Sequence, residues 1–178
     1  NKIEQTTSAN DRKDMKVIGN SLPRYNYNFG ISADWYGIDF SVLFQGIGKQ
    51  NWYPGAETSM FWGPYSRPYA SFIPSDFMSQ VWSEENTDAY FPRPRGYVAL
   101  GSNRELAVVN TKYLQYLAYC RLKNLSIGYT LPDKWLSKIG FEKIRVYFSG
   151  ENLLTFTKLH SDYIDPEQAS ASNSWKNK

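Results

Sequence analysis

The chain has 178 residues, enough for one domain with a core of its own. Its 20 Lys and Arg against 17 Asp and Glu leave a net charge of +3 with no basic run, which argues against nucleic acid as a partner. A single cysteine, Cys120, excludes an internal disulfide, and a single histidine, His160, excludes a multi-histidine metal site.

Aromatic residues make up 17% of the chain, as 14 Tyr, 10 Phe and 6 Trp, yet the mean hydropathy is −0.54. A chain this aromatic and this polar points to β-structure with rings in a surface role as well as a core role. Two settings use such rings: carbohydrate-binding surfaces and the interfacial girdles of outer-membrane barrels. No apolar run is long enough for a transmembrane helix. The polar start, NKIEQTTSANDRKDMK, has no signal-peptide core. An exported protein with this start would already be mature, or the chain is a piece of something longer.

In chain order, residues 1–22 read as a loop. Strand character runs from Arg24 to about Trp35, with Tyr25, Tyr27, Phe29, Ile31, Ala33 and Trp35 alternating against Arg24, Asn26, Asn28, Gly30, Ser32 and Asp34. Trp35-Tyr36-Gly37 reads as a tight turn, and the return strand runs from Ile38 to about Gly48. That strand keeps a clean apolar face, while Leu43 and Ile47 interrupt its polar face. Residues 49–112 form a long connection dense in aromatics and proline. Short helical pieces are expected at Ser75–Trp82 and Thr111–Leu117. Its aromatic density marks it as an ordered, functional loop.

Strand character resumes over about Tyr119–Leu131 and Lys143–Phe156. Between them Asp133–Gly140 reads as a helical turn closed by glycine. From Thr157 the sequence is loop-like, with a turn at Tyr163-Ile164-Asp165-Pro166. The fold class is therefore all-β and antiparallel. Connections alternate short and long, as in an outer-membrane barrel with short turns at one end. Alternation alone equally describes a soluble sandwich. The discriminating positions are Phe29, Ile31, Phe40, Val42, Ile127, Val146 and Phe148: a barrel puts them outside, a sandwich puts them inside against a second sheet.

Several stretches resemble one family. DRKDMKVIGNSLPRYNY (11–27), WYGIDFSVLFQGIG (35–48), WSEENTDAYFPRPRG (82–96), RLKNLSIGYTLP (121–132), FSGENLLTF (148–156) and DPEQAS (165–170) are similar, in order, to segments of SusC/RagA-type TonB-dependent outer-membrane transporters. The resemblance implies that residues 1–178 are a C-terminal part of a β-barrel, without plug, TonB-box segment or last strand. It implies a bacterial outer-membrane location and import of glycans or peptides. The implied partners are a SusD-like surface lipoprotein, the TonB complex through another part of the protein, and outer-membrane lipid. On this reading the Tyr25–Trp35 face meets lipid, and Arg24, Asn26, Asn28, Asn124, Arg145 and Glu151 face the lumen.

No catalytic constellation, metal site or cofactor motif is legible, so no enzyme is expected. Glu151 reads as a lumen carboxylate bonded to Arg145 or a neighbouring strand rather than as a glycosidase acid, for want of a paired carboxylate. His160 reads as an exposed loop residue and Cys120 as a wall residue. Contact with substrate or partner is assigned to Trp52, Tyr53, Trp62, Tyr65, Arg67, Tyr69 and Trp82, with Arg95 as a further hydrogen-bonding arginine. Against this, the same rings would serve to pack the loop onto itself. The alternative function is a soluble β-rich carbohydrate-binding module with the aromatic loop as its platform.

Overall fold

The computed structural model describes residue 13 and residues 15–66, 73–101, 104–137 and 140–169. Six strands are formed: β1 (Arg24–Trp35), β2 (Ile38–Lys49), β3 (Asn51–Trp52), β4 (Gln115–Tyr116), β5 (Tyr119–Thr130) and β6 (Arg145–Thr157). The four long ones make one antiparallel sheet in the order β1-β2-β5-β6, and β3 and β4 pair separately. Two four-residue helices, α1 (Ser59–Trp62) and α2 (Asp133–Leu136), and short 3-10 turns complete the fold.

The hairpin β1–β2 turns in two residues. Tyr36 (φ 47°) and Gly37 (φ 86°) both take left-handed backbone, as a type I′ turn requires. That turn matches the right-handed twist of the strands it joins. Gly37 is also fixed from outside: its carbonyl accepts from Thr130 N–H at 2.7 Å, and a Cβ there would lie 2.9 Å from the Thr130 carbonyl oxygen.

Register carries the alternation across the sheet. The rows Ala33–Phe40–Ile127–Phe148 and Trp35–Ile38–Tyr129–Val146 place apolar side chains side by side over four strands. Phe29 stacks on its partner Phe44 with ring centroids 5.0 Å apart. Tyr27 lies over Gly46, where any Cβ would strike its hydroxyl, and that hydroxyl donates to the Tyr119 carbonyl at 3.0 Å. An aromatic ring thus covers the backbone that glycine leaves bare.

Among the described residues, nothing covers this apolar face. Phe29, Ile31, Ile127, Val146 and Phe148 are 43–64% exposed, and β1 and β6 are exposed along almost their whole length. Only Val42 is buried and Phe40 half-buried, because β2 has neighbours on both sides. The five exposed positions answer the barrel-or-sandwich question: the described residues supply no second sheet against that face. From Tyr25 to Trp35 a strand rises ~33 Å, which at the ~40° tilt of barrel strands spans ~25 Å of height, the thickness of an outer-membrane apolar band.

The hydrophobic core lies instead in the connections. Trp52, Phe61, Trp62, Tyr65, Phe77, Phe91, Tyr113 and Leu117 pack together, joined by Leu159 and Ile164 from beyond β6. The expected helix at Thr111–Leu117 is not formed: residues 111–113 turn, and Gln115–Tyr116 pair with Asn51–Trp52 as β4, with Leu117 N–H donating to the Gln50 carbonyl. Long-range ladder bonds there override a weak local helical tendency. The expected piece at Ser75–Trp82 shrinks to a 3-10 turn at Phe77–Gln80, whose Ser79 hydroxyl bonds back to the Asp76 carbonyl at 2.6 Å. The helical turn after Pro132 ends at Leu136, and Gly140 follows in left-handed backbone.

β5 carries an irregularity that alternation alone did not suggest. Leu43 pairs with Asn124 and Phe44 with Leu122, so Lys123 is an extra residue opposite β2. The bulge flips the parity of β5, which lets Leu122 and Leu125 both join the apolar face. On β6 the register shifts at the same level, where Asn152 takes φ 53°.

The turn gives a direct test. Gly37→Val should cost about 2–3 kcal/mol of barrel stability, through left-handed strain and the clash with Thr130. Tyr36→Asn should be neutral or stabilising by about 0.5 kcal/mol, because Asn tolerates positive φ. Urea unfolding of the complete protein in detergent measures both.

Candidate functional site

The polar face of the sheet is built by the same register. One row is Asn28–Gln45–Arg121–Thr155, and another is Ser32–Ser41–Ser126–Ser149, a serine on every strand. Asn124 pairs with Glu151, and Arg24 with Lys49. Arg24, Asn26, Asn28, Asn124, Arg145 and Glu151, the six positions expected on this face, therefore share it. Leu43 and Ile47 sit among them as apolar interruptions.

Arg145 does not bond Glu151. It reaches over β5 to Asp39 on β2, with Nε–Oδ1 at 2.9 Å and Nη2–Oδ2 at 2.5 Å. The bidentate pair crosses above Gly128, where a Cβ would lie within 2.6 Å of both groups. A side chain on β5 would block it, so the glycine is the opening that lets β2 and β6 be tied together. Spacing along β6 pointed to Glu151 because it lies on the same strand. The true partner is separated by 106 residues and is found only through the register.

Near the loop end, Pro23, Asn26, Asn28, Gln45, Ile47 and Tyr119 line an open groove of about 410 Å³. Beside it Arg121, with its side chain 7% exposed, bonds Asp165, Glu167 and Thr155. Tyr119 lies under the Arg121 guanidinium, 5.6 Å from ring centroid to Cζ. This cluster was not anticipated. Its sequence signal is an arginine at a polar position of a strand, answered by two carboxylates two residues apart in DPEQ, but nothing local links them.

The loop residues assigned to contact divide by burial. Trp62 and Tyr65 are fully enclosed. The Trp62 indole N–H donates to the Pro54 and Gly55 carbonyls at 3.1 Å, and its ring meets Phe61, Phe91 and Tyr113. The Tyr65 hydroxyl donates to the Pro92 carbonyl. Trp52 is buried with its indole nitrogen unbonded among the described residues. Tyr53 is half-buried and donates to the Leu106 carbonyl at 2.8 Å, while Trp82 is half-buried beside the Val81–Phe91 bridge. Arg67 and Tyr69 lie outside the described residues. Arg95 pairs with Glu105 at the surface. The rings thus hold the loop layer together, and of those described only Tyr53 and Trp82 retain a partly open surface.

His160 is exposed, as expected, but engaged. Its ring stacks on Tyr90 at 3.9 Å and its Nε2 lies 2.7 Å from Gln80 Oε1. It borders a small pocket of about 40 Å³ shared with Asp76, Gln80 and Tyr163, room for a water or two. Desolvation lowers its pKa, against the opposing pull of Asp162. Burial raises the pKa of Tyr53, Tyr65 and Tyr90, and that of Tyr113 to about 12.

These shifts give two pH tests. A lowered histidine pKa means that the unfolded chain binds the extra proton first, so loop stability is complete above the unfolded value near 6.5 and falls as pH drops through it. The urea midpoint by tryptophan fluorescence should be lower at pH 5.5 than at 7.5, and His160→Gln should flatten that difference. For tyrosine, stability is complete below the unfolded value near 10 and is lost as pH rises toward 12. Absorbance at 295 nm should show a late, cooperative tyrosine fraction that ionises only as the loop layer opens.

Among the described residues no group of three or more His, Cys, Asp and Glu is placed to hold a metal ion. No family model matches the chain. Two curated proteins of Formosa agariphila are similar to it over 156 residues, 86% of the chain: TonB-dependent receptor P3 at 34% identity and TonB-dependent receptor P26 at 28%. The chain spans 14% of the length of each. Among solved structures, the RagAB peptide importer in its open-open and closed-closed states shares the fold at 22% identity. TM-scores are 0.56 and 0.58, over 94% of this chain and 17% of theirs.

Proposed function

We propose that this chain, which belongs by sequence with the TonB-dependent receptors of the bacterial outer membrane, is a wall segment of a nutrient importer. It contributes four adjacent staves near the C-terminal end of the barrel, together with the loop layer above them. The observation that carries the reading is the bare apolar face, continuous over four strands and matched on the reverse by rows of amides, serines and paired charges. In a bilayer the first face meets lipid and the second lines a hydrated interior. Backbone groups are paired within the sheet, and both edges are completed by strands of the same wall. A soluble carbohydrate-binding module would have to cover Ile31, Val146 and Phe148, and the described residues provide no cover.

The finer reading places the chain in the SusC/RagA branch, energised through TonB and working with a SusD-like lipoprotein at the outer mouth. The motifs in register and the RagAB fold neighbours support it. The substrate is a glycan or a peptide; the neighbours' peptide import favours neither for this chain. Tyr53 and Trp82, with Arg67 and Tyr69, remain the proposed contacts at that mouth. No chemistry is proposed for the chain itself.

Paired cysteines test the face assignment in the complete receptor, in cells carrying Cys120→Ser. A water-soluble maleimide should label Ser126→Cys and leave Ile127→Cys unlabelled, while a lipid-soluble maleimide reaches Ile127→Cys. Equal labelling of both by the water-soluble reagent would mean that both faces meet water and would overturn the barrel reading. The reverse pattern would invert the faces.

A further inference from the structure

The segment after β6 turns back rather than leading away. Leu159 and Ile164 enter the loop core, and the residues that follow come down on the polar face of β5. There Arg121 Nη2 meets Asp165 Oδ1 at 2.5 Å, Nη1 meets Glu167 Oε2 at 2.6 Å, and Nε donates to Thr155 Oγ1 at 2.9 Å. Lys123, the bulge residue, reaches both Glu167 oxygens at 2.9 Å. The descending segment is itself closed into a turn. Gln168 and Ala169 N–H donate to the Asp165 carbonyl at 3.1 and 2.9 Å, and Glu167 N–H donates to Asp165 Oδ1 at 3.0 Å.

The segment is held by two kinds of contact. Ile164 at its start and Ala169 at its end pack against the aromatic core. Between them Asp165 and Glu167 meet the wall through charged groups, over a guanidinium almost sealed from water. Such a pair holds in an all-or-none way, since withdrawing one partner leaves a buried charge uncompensated. The Lys123 bulge contributes directly: by adding a residue to β5 it brings an ammonium to the same carboxylate that Arg121 holds.

We propose that residues 163–169 form a strap laid across the polar face of the wall, latched to the wall by Arg121 with Lys123 as a second catch. On the proposed reading of that face as the barrel interior, the strap narrows the passage beside β5 and is released by breaking the latch.

The test uses the complete receptor in detergent micelles with Cys120→Ser, spin-labelled at Asn28→Cys on β1 and Gln168→Cys on the strap. A narrow, short distance distribution is expected. In Arg121→Met, and in the shape-conserving double variant Asp165→Asn/Glu167→Gln, the distribution should broaden and lengthen. Amide exchange at Gln168 and Ala169 should rise about tenfold or more, with the Trp62–Phe91 peptides unchanged. Lys123→Met should have a smaller effect of the same sign. A distribution that stays narrow in both latch variants would show that packing holds the strap and would overturn the latch. A long, broad distribution in the unsubstituted protein would remove the strap from the polar face. Loss of the folded, heat-modifiable barrel in both variants would make Arg121 a general folding determinant and also overturn the proposal. None of these readings depends on which face meets lipid, so failure here is separate from failure of the face assignment.

Discussion

The sheet stands on its own hydrogen-bond ladder, and everything else in the chain is arranged around that fact. Burial normally stabilises a sheet by pressing one face on a core. Here the apolar face is left open and the core is assembled from connections at one end. Side-chain support within the wall runs from strand to strand: Phe29 on Phe44, Arg121 to Thr155, Tyr27 over Gly46, and Arg145 to Asp39 across Gly128. Each of the last two depends on a glycine that makes room for a neighbour's side chain, so the sheet is tied strand to strand rather than face to face. Such a wall is complete only when lipid or further strands supply what packing does not.

The two ends of the wall differ in kind. At one end the chain reverses in two residues, Tyr36-Gly37, with Trp35, Tyr36 and Trp135 exposed around it. At the other, more than sixty residues lie between β2 and β5 and fold over an aromatic cluster in which Phe91 meets Phe61, Tyr65, Phe77 and Tyr113. A short loop keeps register cheaply. A long loop keeps a shape only if it buries something, and this one buries rings. That is why aromatic and proline density in residues 49–112 signals order.

The wall was legible in the sequence because its logic is periodic: alternation, a glycine after a tight turn, and a proline at Pro132 after a strand are all local marks. The loop layer was legible only as ordered. Which rings would meet depends on pairings such as Asn51–Tyr116, and these pull Gln115 and Tyr116 out of the helix that local propensity favoured. The polar partners were hidden for the same reason. Arg121 and Asp165 are separated by 44 residues, and Arg145 and Asp39 by 106, so neither pair leaves a trace in spacing. The bulge at Lys123 was missed because Leu122 and Leu125 break the alternation in a way that reads as noise until the register explains it.

The row Ser32–Ser41–Ser126–Ser149 carries a consequence for anything that moves along that face. Hydroxyls are the shortest side chains that can both give and take a hydrogen bond, and each rotates freely to do either. Four abreast, they form a belt with no net charge and no fixed polarity, next to the row Gly30–Leu43–Asn124–Glu151 on its loop side. A polar solute crossing such a belt can exchange one partner for the next, or for water, without ever being held strongly by any of them. The belt is slippery in the molecular sense: it wets the surface without creating a trap.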